Sequence, residues 1–145
     1  MIEYKGLSFP KDIILFFFVA IRVFYFTFIT KKRSSRQIID SIIYKTYKKN
    51  SLCMKKKTAI LRKTYRIASF VLSKTYYKQK PCLPRSYIVY ESARKLTLNA
   101  QIVIGVIKDD DKLIGHGWVE IDNIPFMENQ EHLKDYTVMI KEPKK

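Results

Sequence analysis

"CLPRSYIVYESARKLTLNAQIVIGVIKDDDKLIGHGWVEI", residues 82–121, contains a change of period on which the fold depends. Up to Leu96 the apolar residues read as one side of an amphipathic helix, with Leu83, Tyr87, Ile88 and Leu96 turned to a core. Beyond Asn99 the period drops from 3.6 to 2. "AQIVIGVI" is a β-branched run, "KDDDK" a polar turn and "LIGHGWVEI" a second strand. "DNI" then predicts a tight turn, and "YTVMIKE" near the end a further strand. A helix running into a hairpin makes the chain α+β.

The residues before this stretch extend the helical pattern. In "SSRQIIDSIIYKTYKK", Ile38, Ile39, Ile42 and Ile43 share a helical face behind an N-cap at Ser34 or Ser35. "SLCMKKK" is read as a basic loop. In "TAILRKTYRIASFVLSKTYY", Ile60, Leu61, Tyr65, Ala68, Leu72 and Tyr76 line one side of a helix. The expectation is one α+β domain over 1–145, with N-terminal helices over about 10–96 packed on a small antiparallel sheet over about 99–142.

Earlier still lies "IILFFFVAIRVFYFTFI", residues 13–29, with Arg22 at its centre. Its 17 residues fall just short of a usual span, and a central Arg costs about 2.5–3.5 kcal/mol on insertion scales. A buried helix whose Arg22 reaches the surface or a carboxylate is the preferred reading; membrane association through 13–29 is the alternative. If the segment inserted, "KKR" at 31–33 would hold the remainder on the cytoplasmic side.

Composition narrows the function classes. Apolar residues at 47% argue against disorder, and a net charge of +15 favours anionic partners. The interleaved lysines and tyrosines of "YKTYKKNSLCMKKKTAILRKTYR" have the right chemistry for nucleic acid, but no recognised motif accompanies them. They are read as a solvated helix face, with no nucleic-acid partner. Two cysteines, Cys53 and Cys82, in unlike surroundings suggest reduced thiols in the cytosol rather than a disulfide. Two Cys and two His without close pairing argue against a metal, and no cofactor is expected.

Cys82 is the candidate nucleophile. A helix N-terminus offers unpaired N–H groups and the positive end of the dipole, both of which favour a thiolate. Pro81 suits an extended approach, and Pro84 is tolerated in a first turn. The N–H of Cys82 could also face a developing oxyanion. A base is needed, and His116 is the candidate because His132 lies in the polar stretch "NQEHLKD". Gly115 and Gly117 flank His116, which suggests close backbone approach or a bulge and would leave clearance for a peptide.

An acid should orient the imidazole. Glu120 and Asp122 lie about 13 and 20 Å along a straight strand, too far to serve. If the chain reverses at Asp122–Asn123, opposed residues sum to about 245, so Asn129 faces His116 with Glu128 adjacent. Glu128 is favoured, since a carboxylate better stabilises an imidazolium, and Asn129 is the reserve. Cys53 has no base near it and is read as inert.

The string "CLPRS…NAQIVIGV…GHGWVEIDNIPF" resembles the lasso-peptide leader peptidases, relatives of transglutaminases and papain-like enzymes. Their pattern runs Cys-Leu-x-Arg, then A-x-(I/V)-x-I-G-V, then H-A-W-V-E-x-D-G. The resemblance covers about residues 81–128. Gly117 stands where alanine is common and Asn123 where a turn glycine is common. It implies a transglutaminase-like or papain-like core, Cys82 as nucleophile and His116 as general base. The family's third member, usually aspartate, lies about twelve residues past the histidine and falls on Glu128. The resemblance further implies a split form that acts on a precursor peptide with a separate leader-recognition protein and a macrolactam-forming cyclase. The positive charge would then steer an acidic leader or partner to the cleft. Two other readings remain: another acyl transferase of the transglutaminase-like superfamily, or a non-enzymatic basic module for nucleic acid or membrane.

Overall fold

A computed structural model describes residues 11–49, 51–75 and 81–143. The elements in chain order are α1 (Lys11–Ile29), α2 (Ser35–Ile43), α3 (Met54–Thr75), α4 (Cys82–Lys95), β1 (Ala100–Asp109), β2 (Lys112–Ile121), β3 (Ile124–Pro125), α5 (Gln130–Leu133) and β4 (Thr137–Glu142). The fold is α+β.

Local chemistry explains most boundaries. Ser34 caps α2 through a capping box: its Oγ accepts from the Gln37 N–H, and the Gln37 side chain accepts from the Ser34 N–H. β1 and β2 form a hairpin in which Asp109 opposes Lys112, with Asp110 at φ 50° in the two-residue turn. A second tight turn at Asp122–Asn123, with φ values of 51° and 65°, sets Glu120 against Pro125 and Ile121 against Ile124. Asn99 supports it by donating from Nδ2 to Asp122 Oδ1 at 2.9 Å. β4 returns antiparallel to the far side of β1, giving the order β3-β2-β1-β4.

Two sequence expectations are revised. α3 begins at Met54, so most of "MKKK" is helical rather than loop. Lysine is a good helix former, and Lys57 is held by its Nζ donating to Thr97 Oγ1 at 2.9 Å. Tyr76 lies outside the described residues. α4 is not amphipathic: every residue from Ser86 to Ala93 is buried. It is the central helix, packed between α1 and α3 on one side and β1 and β2 on the other. The core runs through it, from Val19, Val23 and Phe26 of α1 and Leu61 of α3 to Ile102 and Val119 of the sheet.

A helix buried all round must satisfy any charge it carries. Glu91 in α4 accepts from two guanidinium nitrogens of Arg22 of α1, Nε (2.8 Å) and NH2, and lies 3.3 Å from Lys45 Nζ. The central Arg of the apolar segment thus reaches a carboxylate inside the protein. One face of α1 is core; the opposite face is exposed.

Candidate active site

α4 lies with its first turn along an edge of β2 that β3 leaves unpaired, since β3 pairs only Glu120 and Ile121. Cys82 Sγ sits 3.8 Å from the Gly115 carbonyl. One turn on, Ser86 Oγ donates to the Gly117 carbonyl at 2.6 Å and lies 2.9 Å from the Cys82 carbonyl. The match is geometric: four helical residues rise about 6 Å, and two strand residues about 6.8 Å. Side chains at i and i+4 of the helix therefore meet successive outward carbonyls of the strand. This edge seam brings the sulfur to the strand that carries His116.

Such packing needs small residues, and the glycines divide the task. A Cβ at Gly117 would lie 2.8 Å from Leu83 Cδ2 and 3.3 Å from Ser86 Oγ, so this glycine lets α4 approach. At Gly115 a Cβ would meet nothing within 4 Å, so the strand is open at that position. At Gly105 of β1 it would press on Tyr136 Cβ (3.0 Å), the Trp118 ring (3.1 Å) and the Thr137 carbonyl (3.2 Å). Gly105→Ala should therefore lower stability by about 1–3 kcal/mol, because the Thr137 carbonyl, the Tyr136 Cβ and the Trp118 ring must give way. Gly117→Ala should cost less, since the Leu83 methyl can rotate away. Urea unfolding midpoints of the two variants check this order.

His116 is held from three sides. Its ring stacks on Trp118 (centroids 5.9 Å, 21° between planes) and meets Tyr136 at 5.5 Å. Trp118 is fixed in turn by donating to Glu120 Oε1 at 3.2 Å, and Glu120 also receives Lys141 Nζ at 2.7 Å. The third contact is Glu128, whose Oε2 lies 3.5 Å from His116 Nε2. With Nε2 turned to Glu128, Nδ1 is the nitrogen left for the Cys82 thiol.

Strand register alone does not place Glu128. Pairing with β2 ends at Pro125, the Phe126 N–H still donates to the Val119 carbonyl at 2.8 Å, and Met127 then turns at φ 60°. That left-handed residue brings Glu128 back over the strand. Asn129 is spent elsewhere: it caps α5, its Oδ1 accepting from the Glu131 N–H at 3.0 Å. Asp122 pairs with Asn99. Cys53 and His132 are both exposed and outside the site.

Two residues at the site carried no assigned role in the sequence reading. Arg85 NH2 donates to Glu128 Oε1 at 2.9 Å, and Tyr65 donates its hydroxyl to the same oxygen at 3.2 Å. The Arg85 guanidinium also lies over the Tyr65 ring, 4.7 Å from its centroid. Helical spacing could have flagged Arg85, which is three residues from Cys82 and on the same side of α4. Nothing in the sequence distinguishes Tyr65 from the core residues of α3.

The electrostatics follow from these contacts. Burial pushes the Cys82 thiol up, but the hydrogen bond to His116, the Gly117 N–H and the nearby positive charges of His116 and Arg85 outweigh it, and the thiol is lowered. His116 is raised to about 9, chiefly by the hydrogen bond to Cys82 and next by that to Glu128. Burial raises Glu128, yet the His116 hydrogen bond and the Arg85 charge leave it lowered overall. The thiol and the imidazole therefore titrate as one coupled pair, each contact favouring the thiolate–imidazolium form.

The sign of the pH dependence follows. His116 keeps its proton until about pH 9, and the lowered thiol ionises earlier than a free one. Alkylation of Cys82 by iodoacetamide should persist to lower pH than that of a free thiol, and His116→Ala should move its titration to higher pH. Peptide mass spectrometry separates Cys82 from exposed Cys53. A wild-type profile matching the free thiol would contradict the ion pair.

The void behind Glu128, lined among others by Tyr65, Arg85, Trp118 and Phe126, is only about 10 Å³, too small to hold a substrate. Among the described residues no group of three or more His, Cys, Asp or Glu side chains comes together as a metal would require. A thiol at a helix N-terminus, an imidazole on the adjoining strand and a carboxylate behind it can carry out acyl transfer through a thioester. The family comparison agrees with that class. Residues 32–141 match the model of the transglutaminase-like superfamily, and the chain belongs to it. Members of the superfamily are typically cysteine proteases or transglutaminases, which fits an enzyme. No curated protein and no solved structure gives a significant match.

Proposed function

We propose that the protein is a cysteine peptidase that cleaves the leader from a ribosomally made lasso-peptide precursor, with Cys82, His116 and Glu128 as its catalytic groups. The observation that carries the chemistry is the Cys82–His116–Glu128 contact series at the open edge of β2. The leader specificity rests on the sequence resemblance over residues 81–128.

In this reading the Cys82 thiolate attacks the scissile carbonyl, and the tetrahedral oxyanion lies near the free N–H groups of the first turn of α4. Collapse of that intermediate breaks the C–N bond. The leaving amine takes the proton from His116 Nδ1, and a thioester remains on Cys82. The neutral imidazole then accepts a proton from water as its oxygen attacks the thioester. The carboxylic acid product leaves and gives its proton to solvent, and the thiolate–imidazolium pair is restored. Glu128 keeps Nε2–H oriented and stabilises the imidazolium in both halves.

The open space at Gly115, where an added Cβ would meet nothing within 4 Å, leaves room for an extended substrate at this part of β2. A separate recognition protein would deliver the precursor and a cyclase would consume the product. The test is incubation with a candidate precursor and recognition protein, read by intact mass. Hydrolysis leaves two fragments whose masses sum to the precursor plus one water. A product joined to an added amine would instead make the protein a transglutaminase, and an unchanged precursor would reject the peptidase reading.

A further inference from the structure

α1 carries a second surface that the acyl-transfer site does not use. At every exposed position from Ile13 to Ile29 the side chain is apolar or aromatic: Ile14 (78%), Phe17 (62%), Phe18 (40%), Ile21 (66%), Phe24 (60%), Tyr25 and Phe28 (61%). At 100° per residue these cover an arc of about 120°, and from Ile14 to Phe28 they run about 21 Å. A contiguous strip of this kind marks an interaction surface rather than scattered exposure. It also lies outside residues 32–141, where the superfamily match falls.

Charge selects the occupant. The strip ends at Lys31, Lys32 and Arg33, all exposed. Lys32 Nζ lies 4.3 Å from the centre of the Phe28 ring, and Lys95 Nζ from α4 lies 4.5 Å from that of Phe18. The one acid of α1, Asp12, is buried and paired with Lys63 at 2.9 Å. Apolar rings edged by ammonium groups suit an anionic lipid surface, where the rings enter the acyl boundary and the lysines meet headgroups. A second copy would bring two such basic edges together, each on a chain of net charge +15.

We infer that α1 is an interfacial anchor that lays its Phe-rich face into an anionic bilayer. By length and composition Asp12–Ile29 could also cross a membrane. Crossing would strip Val19, Val23 and Phe26 from the core and part Arg22 from buried Glu91, so the helix lies in the interface instead. This holds independently of the peptidase reading.

The test uses the full chain and vesicles of phosphatidylcholine alone or mixed equally with phosphatidylglycerol. The expected result is co-sedimentation with the mixed vesicles, weakened by salt and at least about tenfold lower on the neutral ones. Phe17→Ser with Phe24→Ser should reduce it by about tenfold or more while the far-ultraviolet circular dichroism is unchanged. Should that variant misfold, Ile21→Trp in the otherwise native chain supplies a second reading: its emission should shift to the blue on mixed vesicles. A chain that stays in the supernatant overturns the inference, as does binding that survives loss of both phenylalanines or an unmoved Trp emission. A dimer that the phenylalanine changes dissociate, without vesicle binding, overturns it in favour of self-association.

Discussion

Cys82→Ala is expected to abolish precursor cleavage, with kcat/KM falling by about 10⁴-fold or more. That is about 5.5 kcal/mol of transition-state stabilisation, more than any packing defect at a half-buried thiol would cost the rate. Cys82→Ser should be nearly as inactive, because His116 cannot ionise a hydroxyl as it ionises this thiol. Two readings of the residue then separate cleanly. If Cys82 only packs against β2, the alanine variant keeps its activity and loses a little stability. If it is the nucleophile, the alanine variant folds normally, keeps its affinity for the precursor and makes no product. The same variant should lower the pKa of His116 from about 9, since the hydrogen bond to Cys82 is the largest cause of its elevation. Proton NMR titration of the imidazole reads this without any substrate.

The α+β class was legible because the period of the apolar residues changes at one place, near Asn99, and the hairpin residues Asp110, Asp122 and Asn123 all tolerate the positive φ that they adopt. The central position of α4 was not. Its residues Ser86, Glu91 and Ser92 look like a solvent face, and only the partners reveal otherwise. Glu91 is buried because Arg22, 69 residues earlier, crosses it, and no local pattern encodes that pairing. The apolar segment likewise concealed two faces behind one composition: the helix is hydrophobic all round, so spacing could not say which side would meet α4.

At the candidate site the legible parts were local and the rest was tertiary. A helix start at Cys82 and a glycine-flanked histidine can be read from neighbours in sequence. The turn at Asp122–Asn123 allowed a register count that led to the vicinity of residues 128 and 129. It could not choose between them, because the strand ends at Pro125 and Met127 reverses the chain. Asn129 has the side chain most suited to cap α5, and that local use removes it from His116. The seam of Cys82 and Ser86 against the Gly115 and Gly117 carbonyls needs helix and strand rises to be compared across 31 to 33 residues.

Glu128→Gln is expected to lower kcat/KM by about 10²-fold. The loss should be smaller than that of Cys82→Ala, which removes the attacking atom, because the hydrogen bond to Cys82 still raises His116 in this variant. An amide in its place can donate to Nε2 and favour the wrong tautomer, and it stabilises the imidazolium less. Arg85 should act through Glu128 rather than on the substrate. Its guanidinium and the Tyr65 hydroxyl occupy Oε1, which leaves Oε2 to face His116. The Arg85 charge also lowers both Glu128 and the Cys82 thiol. Arg85→Met should therefore raise both groups and move the acidic limb of the kcat/KM–pH profile to higher pH, whereas Arg85→Lys should restore much of its position. A variant that merely loosened α4 would depress activity equally across the profile. An unmoved acidic limb in Arg85→Met, with activity retained, would mean that the clamp on Glu128 has no part in setting the thiolate.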